Sequence, residues 1–353
     1  MLTKQKYSAK ELFSWTKREI LIFTLMSTAI VILYDVFDFK FVEVPWTPVG
    51  LVGTAVAFIV GFQNNAAYER VWEARKIWGG VVNTSRTWGM KIFAMVNNEH
   101  SIDIVSKEEI FQIKKELIYR HIAWLTAMRY SMREKRSWEL NSPKHNKKTW
   151  VKELDVPEHK MSLEEAISPY ISTEEWQEIS NKKNPAAALL FNQSKSLKNL
   201  REIGLLWGFS FLNLEDVLEE LFALQGKSER IKNFPYPRQY ASLSYSFVWI
   251  FLILLPFGIV PEFGYMSKEL LIDFPVLGDY FIWLSIPFCV IVSWVFHSIK
   301  RISVVSESPF QGLGNDVPIS TISRTIEIDL RQLLGEDSTE IPAPFSEKAN
   351  IQM

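Results

Sequence analysis

The sequence predicts an all-α membrane protein, with four membrane helices and a large helical domain outside the bilayer. Three observations lead there. The 353 residues are 48% hydrophobic and include 13 Trp and 24 Phe, rich for a soluble protein, yet 22% are charged, too many for a chain lying wholly in lipid. The apolar residues gather into four long runs, two near the start and two after residue 238. Between the pairs lie amphipathic helical patterns, with no strand-like alternation and no glycine-rich phosphate loop.

Composition also excludes some classes of function. A net charge of −1 gives no footprint for nucleic acid. A single cysteine, Cys289, sits in an apolar run and leaves no disulfide framework.

The first element is basic, then apolar. Lys4, Lys6, Lys10, Lys17 and Arg18 precede the run Ile20 to Tyr34. That order resembles a signal peptide, but the following DVFDFKFVEVPW offers no small-residue cleavage site. It reads as a retained helix near 19–37 with its basic end in the cytoplasm. A short link, 38–47, leads to the second helix, about 46–66.

That second helix is the centre of the chain. In LVGTAVAFIVGFQNNAAYERVWEARKIWGG (51–80) an apolar run passes without a breaker into an amphipathic one. Gln63, Asn64 and Asn65 mark the change, and Arg70, Arg75, Lys76 and Arg86 restore a basic flank. Thr54, Phe58 and Phe62 fall at i, i+4 and i+8 on one stripe. By spacing alone the stripe either packs on a neighbouring helix or rings a pore as an apolar constriction.

A helical cytosolic region, 67–235, follows, with patterns at 81–97, 107–136, 185–203 and 206–226. Residues 137–160 read as an exposed basic loop, and Asn184-Pro185 as a helix start. The third membrane helix, 239–260, begins after Pro235-Tyr236-Pro237 and contains Pro256. A mildly acidic extracellular link, 261–276, precedes the fourth helix, 277–299, which ends at Lys300-Arg301. Residues 300–335 return to the cytosolic region, and 336–353 read as a flexible tail. Four crossings put both termini inside.

Few residues suggest chemistry. The histidines His100, His121, His145, His159 and His297 form no metal-ligand pair at i, i+3 or i+4. His121, among apolar neighbours, reads as a satisfied core or interface histidine. The pairs Glu108-Glu109, Glu164-Glu165, Glu174-Glu175 and Glu219-Glu220 read as solvated faces or salt-bridge partners rather than acid/base dyads. Nothing points to an enzyme or to a bound cofactor.

Three stretches carry a resemblance. GF-x-NNAAY-x-R-x-WEAR-x-W-G at 61–79, FPYPRQYASLSYSFVWIFLILLPFGIV at 234–260 and ESPFQGLGNDVPISTISRTIEIDLRQLLG at 307–335 resemble the bestrophin family, especially its bacterial branch. They occur in the expected order and cover most of the chain, the middle (132–185) matching poorly. The resemblance implies a homopentameric channel passing monovalent ions, in a bacterial inner membrane, one unit spanning 1–353. It maps the neck onto Thr54, Phe58 and Phe62, and a second, cytosolic aperture onto Tyr236. Thr54 stands where relatives often carry an aliphatic residue, which implies a wider or wetter ring.

The resemblance also aligns 307–316 with the calcium clasp of animal members, a dense acidic run. Here only Asn315 and Asp316 remain, so no calcium site is expected, and Asp316 or a neighbour is expected to cap the helix 318–334. Animal members pass chloride, whereas the bacterial branch includes cation channels. Aromatic edges are weakly positive and faces weakly negative, so the neck residues leave selectivity open. A membrane-anchored scaffold and a secondary transporter are the rivals, the latter disfavoured by the lack of a midplane ionisable pair.

Overall fold

The computed structural model describes residues 1–101, 104–139, 156–348 and 350–353. Of the basic stretch 137–160, residues 140–155 therefore lie outside the described residues, His145 among them. The protein is all-α, as the sequence predicts, and the described residues form no sheet. Four helices are long and apolar enough to cross a membrane, Ala9–Val36, Lys40–Met95, Arg238–Asp273 and Pro275–Ser306.

The chain divides into two compact units. One comprises Lys4–Glu69 and Tyr236–Glu307; the other comprises Met1–Thr3, Arg70–Pro235 and Ser308–Met353.

The first unit is built on helices α1 (Ala9–Val31), the start of α2 (Trp46–Met95), α8 (Arg238–Asp273), α9 (Pro275–Phe281) and α10 (Ser285–Ser306). Ser8 and Glu11 close a reciprocal cap at the start of α1, satisfying backbone N–H groups that the first turn leaves open. α1 packs along α10, and α8 along α9 and α10. Between them lie Phe23, Val49, Val56, Val60, Val248, Phe251, Leu252 and Leu255. Contact there is close: a Cβ built on Gly53 would stand 2.6 Å from the Phe251 ring.

α8 departs from the expected boundary. The sequence places a link at 261–276, whereas the helix runs through Pro256 and Pro261 to Asp273. Pro261 has no N–H to offer the Phe257 carbonyl one turn back. The Val44 N–H takes that carbonyl instead, at 3.2 Å, so the carbonyl that Pro261 frees is met where the helix continues.

The second unit holds the rest of α2, with α3 (Lys107–Arg133), α4 (Leu163–Ile167), α5 (Thr173–Ser180), α6 (Pro185–Glu202), α7 (Gly208–Asn233) and α11 (Ile319–Leu333). Its helix starts are written in the sequence. Ser106 with Glu109 and Ser162 with Glu165 form reciprocal caps. Ser172 accepts from the Glu175 N–H, and Asn184 from the Ala187 N–H ahead of Pro185 at the first helical position. Three of the paired carboxylates thus lie at helix starts. Glu175 also binds Arg120 at 2.6 Å.

The core of this unit centres on Trp78, Trp88 and Trp124, all fully buried. His121 lies among them, its ring 5.1 Å from Trp124 and 6.1 Å from Trp88. Neither of its nitrogens has a hydrogen-bond partner among the described residues, so it is a core histidine without the polar partners that a satisfied one would have there. Burial alone lowers its pKa to about 3, so the ring is neutral.

The sequence expects a flexible tail after 335. In the structure Ile351 and Met353 are buried, and backbone bonds run from Thr3 to Asn350 and from Thr321 to Met353.

Candidate functional site

α2 carries its buried and exposed residues on different faces. Gly53, Val56, Val60, Gln63 and Ala67 are buried, at helical spacing. Thr54, Phe58 and Phe62 are exposed, with Phe58 at 65% and Phe62 at 74%. Two bare aromatic rings one turn apart, turned away from the core of their own unit, form a face that the single chain leaves uncovered.

Thr54 does not leave its hydroxyl free. Its Oγ1 donates to the Gly50 carbonyl at 3.0 Å, within the same helix. A bond of this kind is the usual resting place for a threonine hydroxyl inside an apolar helix. The side chain therefore has less polar capacity to offer than its residue type suggests.

Tyr236 lies between Pro235 and Pro237, half-buried, just ahead of α8. It does not cap that helix, whose first turn has no side-chain cap. Burial, reinforced by the charge of Glu307, pushes its phenol pKa up and keeps it a neutral donor. The segment leading to it is held in the other unit, where Arg70 donates to the carbonyls of Ile231 and Phe234 at 3.0 and 2.9 Å.

The stretch 307–316 takes up a role the sequence does not suggest. Asp316 does not cap α11, which starts at Pro318 without a side-chain cap. Its carboxylate instead gathers its own loop, accepting from the N–H groups of Phe310 at 2.7 Å, Gly312 at 2.8 Å and Val317 at 2.7 Å. Arg133 approaches the same carboxylate at 3.3 Å. Arg133 and Arg129 also flank Glu158, at 3.5 and 3.2 Å, and Ser320 donates to both Glu158 oxygens. All five side chains are buried. The loop's Phe310 packs on Trp78 at 6.3 Å, so the WEAR-x-W and ESPF motifs meet in one core.

These residues do not fit a calcium ion. Ca²⁺ takes six to eight oxygens, several from carboxylates. Here the Asp316 carboxylate is occupied by three N–H donors and a guanidinium, the run's other carboxylate, Glu307, faces Arg238, and the described residues contain no cluster of three metal-ligating side chains.

Relatives place this geometry in context. The family described as Bacterial/Fungal Bestrophin protein matches residues 11–332. The voltage-dependent anion channel-forming protein YneE of Escherichia coli K12 is 25% identical over 356 residues, covering 99% of this chain and 98% of that protein. The voltage-dependent anion channel-forming protein RSc3414 of Ralstonia nicotianae is 28% identical over 297 residues, covering 84% and 80%. Among solved structures, a bacterial bestrophin homologue from Klebsiella pneumoniae superposes with a TM-score of 0.68 at 22% identity, covering 90% of this chain and 98% of that one. With a family match that runs over residues 11–332, the chain belongs to the bacterial and fungal bestrophin family.

Proposed function

We propose that the protein is a passive channel for monovalent anions, formed by a ring of five copies in a bacterial inner membrane with both termini in the cytoplasm. In this reading Thr54, Phe58 and Phe62 of each copy line a neck, and Tyr236 lines a second aperture on the cytosolic side. The whole chain acts as one channel unit.

One observation carries the reading. The Phe58 and Phe62 rings stand 65% and 74% exposed, on the other face of α2 from buried Val56, Val60 and Gln63. A closed cyclic ring gives such a face an axis to surround. An apolar constriction there gates by excluding water. The anion preference is drawn from the names of the relatives, and the absence of any acidic residue from this stripe agrees with it.

The test is iodide flux into proteoliposomes, paired with native mass spectrometry of the same sample. A pentamer that admits iodide, and admits it at a different rate after Phe58→Ala or Phe62→Ala, supports the neck. A monomer or dimer, or a flux indifferent to both substitutions, removes it.

A further inference from the structure

Lys300 lies near the end of the fourth apolar span, Pro275–Ser306, where a lysine ordinarily reaches for water. It does not do so here. Its side chain turns inward and the residue is only 4% exposed. The ammonium donates to Gln63 Oε1, to Ser244 Oγ at 3.2 Å and to the Ala241 carbonyl at 3.4 Å. All three acceptors are neutral.

The neighbouring cations are arranged differently. Arg301 faces Glu19 at 3.3 Å, and Arg238 faces Glu307 at 3.4 Å. Lys300 has no carboxylate within 4.0 Å among the described residues; Glu307, whose charge acts on it, is turned to Arg238. An ammonium taken out of water with no carboxylate in contact is expensive, and its three hydrogen bonds offset that only in part. An ionisable side chain buried in a membrane segment more often belongs to an ion path than to plain packing.

Its principal partner is what gives the position meaning. Gln63 follows Phe62 directly on α2, and its amide oxygen is turned to Lys300. The opposite end of that amide, Nε2, is buried with no acceptor among the described residues. A positive charge carried by α10 thus sits against Gln63, on the buried face of α2 and one residue along the chain from Phe62.

We propose that Lys300 is a charge-selectivity residue: a fixed positive charge set behind the Gln63 end of the neck, favouring anions and opposing cations at the Phe62 ring. This rests on the reading of α2 as the pore wall. Lys300 touches no ion. It acts through the poorly screened protein between its ammonium and the pore, with Gln63 holding it in place.

The test is the reversal potential of the purified protein in a planar bilayer under a KCl gradient. Lys300→Met and Lys300→Gln remove the charge; Gln63→Glu keeps the lysine and neutralises it with a contacting carboxylate. Each is expected to move the potential toward the potassium value, by a change in the anion-to-cation permeability ratio on the order of tenfold. Lys300→Arg keeps the charge and is expected to hold the wild-type potential. Gln63→Glu leaves the lysine's packing in place, so a folding defect in the lysine variants does not decide the outcome. An unmoved potential in Gln63→Glu and in either neutral variant overturns the proposal. Phe62→Ala separates the two readings. If it alters conductance while the charge variants leave the potential unmoved, only Lys300 loses its role; if it too changes nothing, the neck itself falls.

Discussion

Arg133 stands 3.3 Å from Asp316, two buried residues separated by 183 positions in sequence, and the pair holds the loop at 307–316 in place. Asp316 also accepts from two backbone N–H groups of that loop and from that of Val317 just after it, so removing it strands both a guanidinium and those donors. Asp316→Ala is expected to cost about 3–5 kcal/mol, the penalty for breaking a buried pair from one side. Thermal unfolding checks this. Because the carboxylate is already occupied, adding calcium or EGTA is expected to leave the melting temperature of the native protein unchanged. A calcium-dependent rise would show that the loop opens to accept the ion.

His121 supplies a pH dependence with a definite sign. Its neutral ring is buried without hydrogen-bond partners among the described residues, and its pKa is lowered to about 3, whereas an unfolded chain protonates histidine near 6.5. Between those values the unfolded state binds more protons, so this residue's contribution makes stability fall as pH drops from about 6.5 toward 3. His121→Leu removes that dependence. Its melting temperature relative to wild type is expected to climb as pH is lowered from 7 to 4. Parallel curves would mean that the ring finds a partner in solution.

Gly53 tests the packing of the helix that carries the stripe. A Cβ there meets the Phe251 ring at 2.6 Å, and that ring is itself buried against Phe296 at 4.7 Å. Gly53→Ala is expected to destabilise by about 1–3 kcal/mol, as overpacking does where a rigid neighbour cannot yield. An unchanged melting temperature would mean that α2 and α8 have room to move apart.

Thr54 and the phenylalanines should behave differently when varied. The Thr54 hydroxyl is engaged by Gly50, so Thr54→Val is expected to change conductance by less than about twofold, since the surface it offers a pore is already largely apolar. Phe58→Ala and Phe62→Ala, which remove exposed rings, are expected to change it far more. Single-channel recording compares the three. A large effect of Thr54→Val would show that the hydroxyl leaves Gly50 and faces the ion.

The sequence made the all-α class and the four apolar helices legible because hydropathy and capping are local signals. Asn184 ahead of Pro185 marks a helix start within a single turn of chain, whereas the Ser8-x-x-Glu11 cap starts α1 at Ala9, ten residues before the 19–37 that hydropathy suggests. Less legible were features that depend on distant neighbours. Pro261 reads as the end of a helix, and only the arrival of the Val44 N–H at the Phe257 carbonyl explains why α8 continues. Asp316 looks like a cap because its loop precedes a helix, while its partner Arg133 lies far away in sequence. Lys300 reads as a flanking cation beside Arg301, since composition cannot tell which side chain turns outward. On the stripe, spacing alone identified Thr54, Phe58 and Phe62 as one face, and the structure adds that this face is exposed in the single chain.

The central claim is anion conduction, and the most direct measurement is the reversal potential of the wild-type protein across a planar bilayer under a KCl gradient. Reversal close to the chloride equilibrium potential is the predicted result. Reversal close to the potassium potential, from an intact oligomer that conducts, would contradict it and make the protein a cation channel built on the same fold.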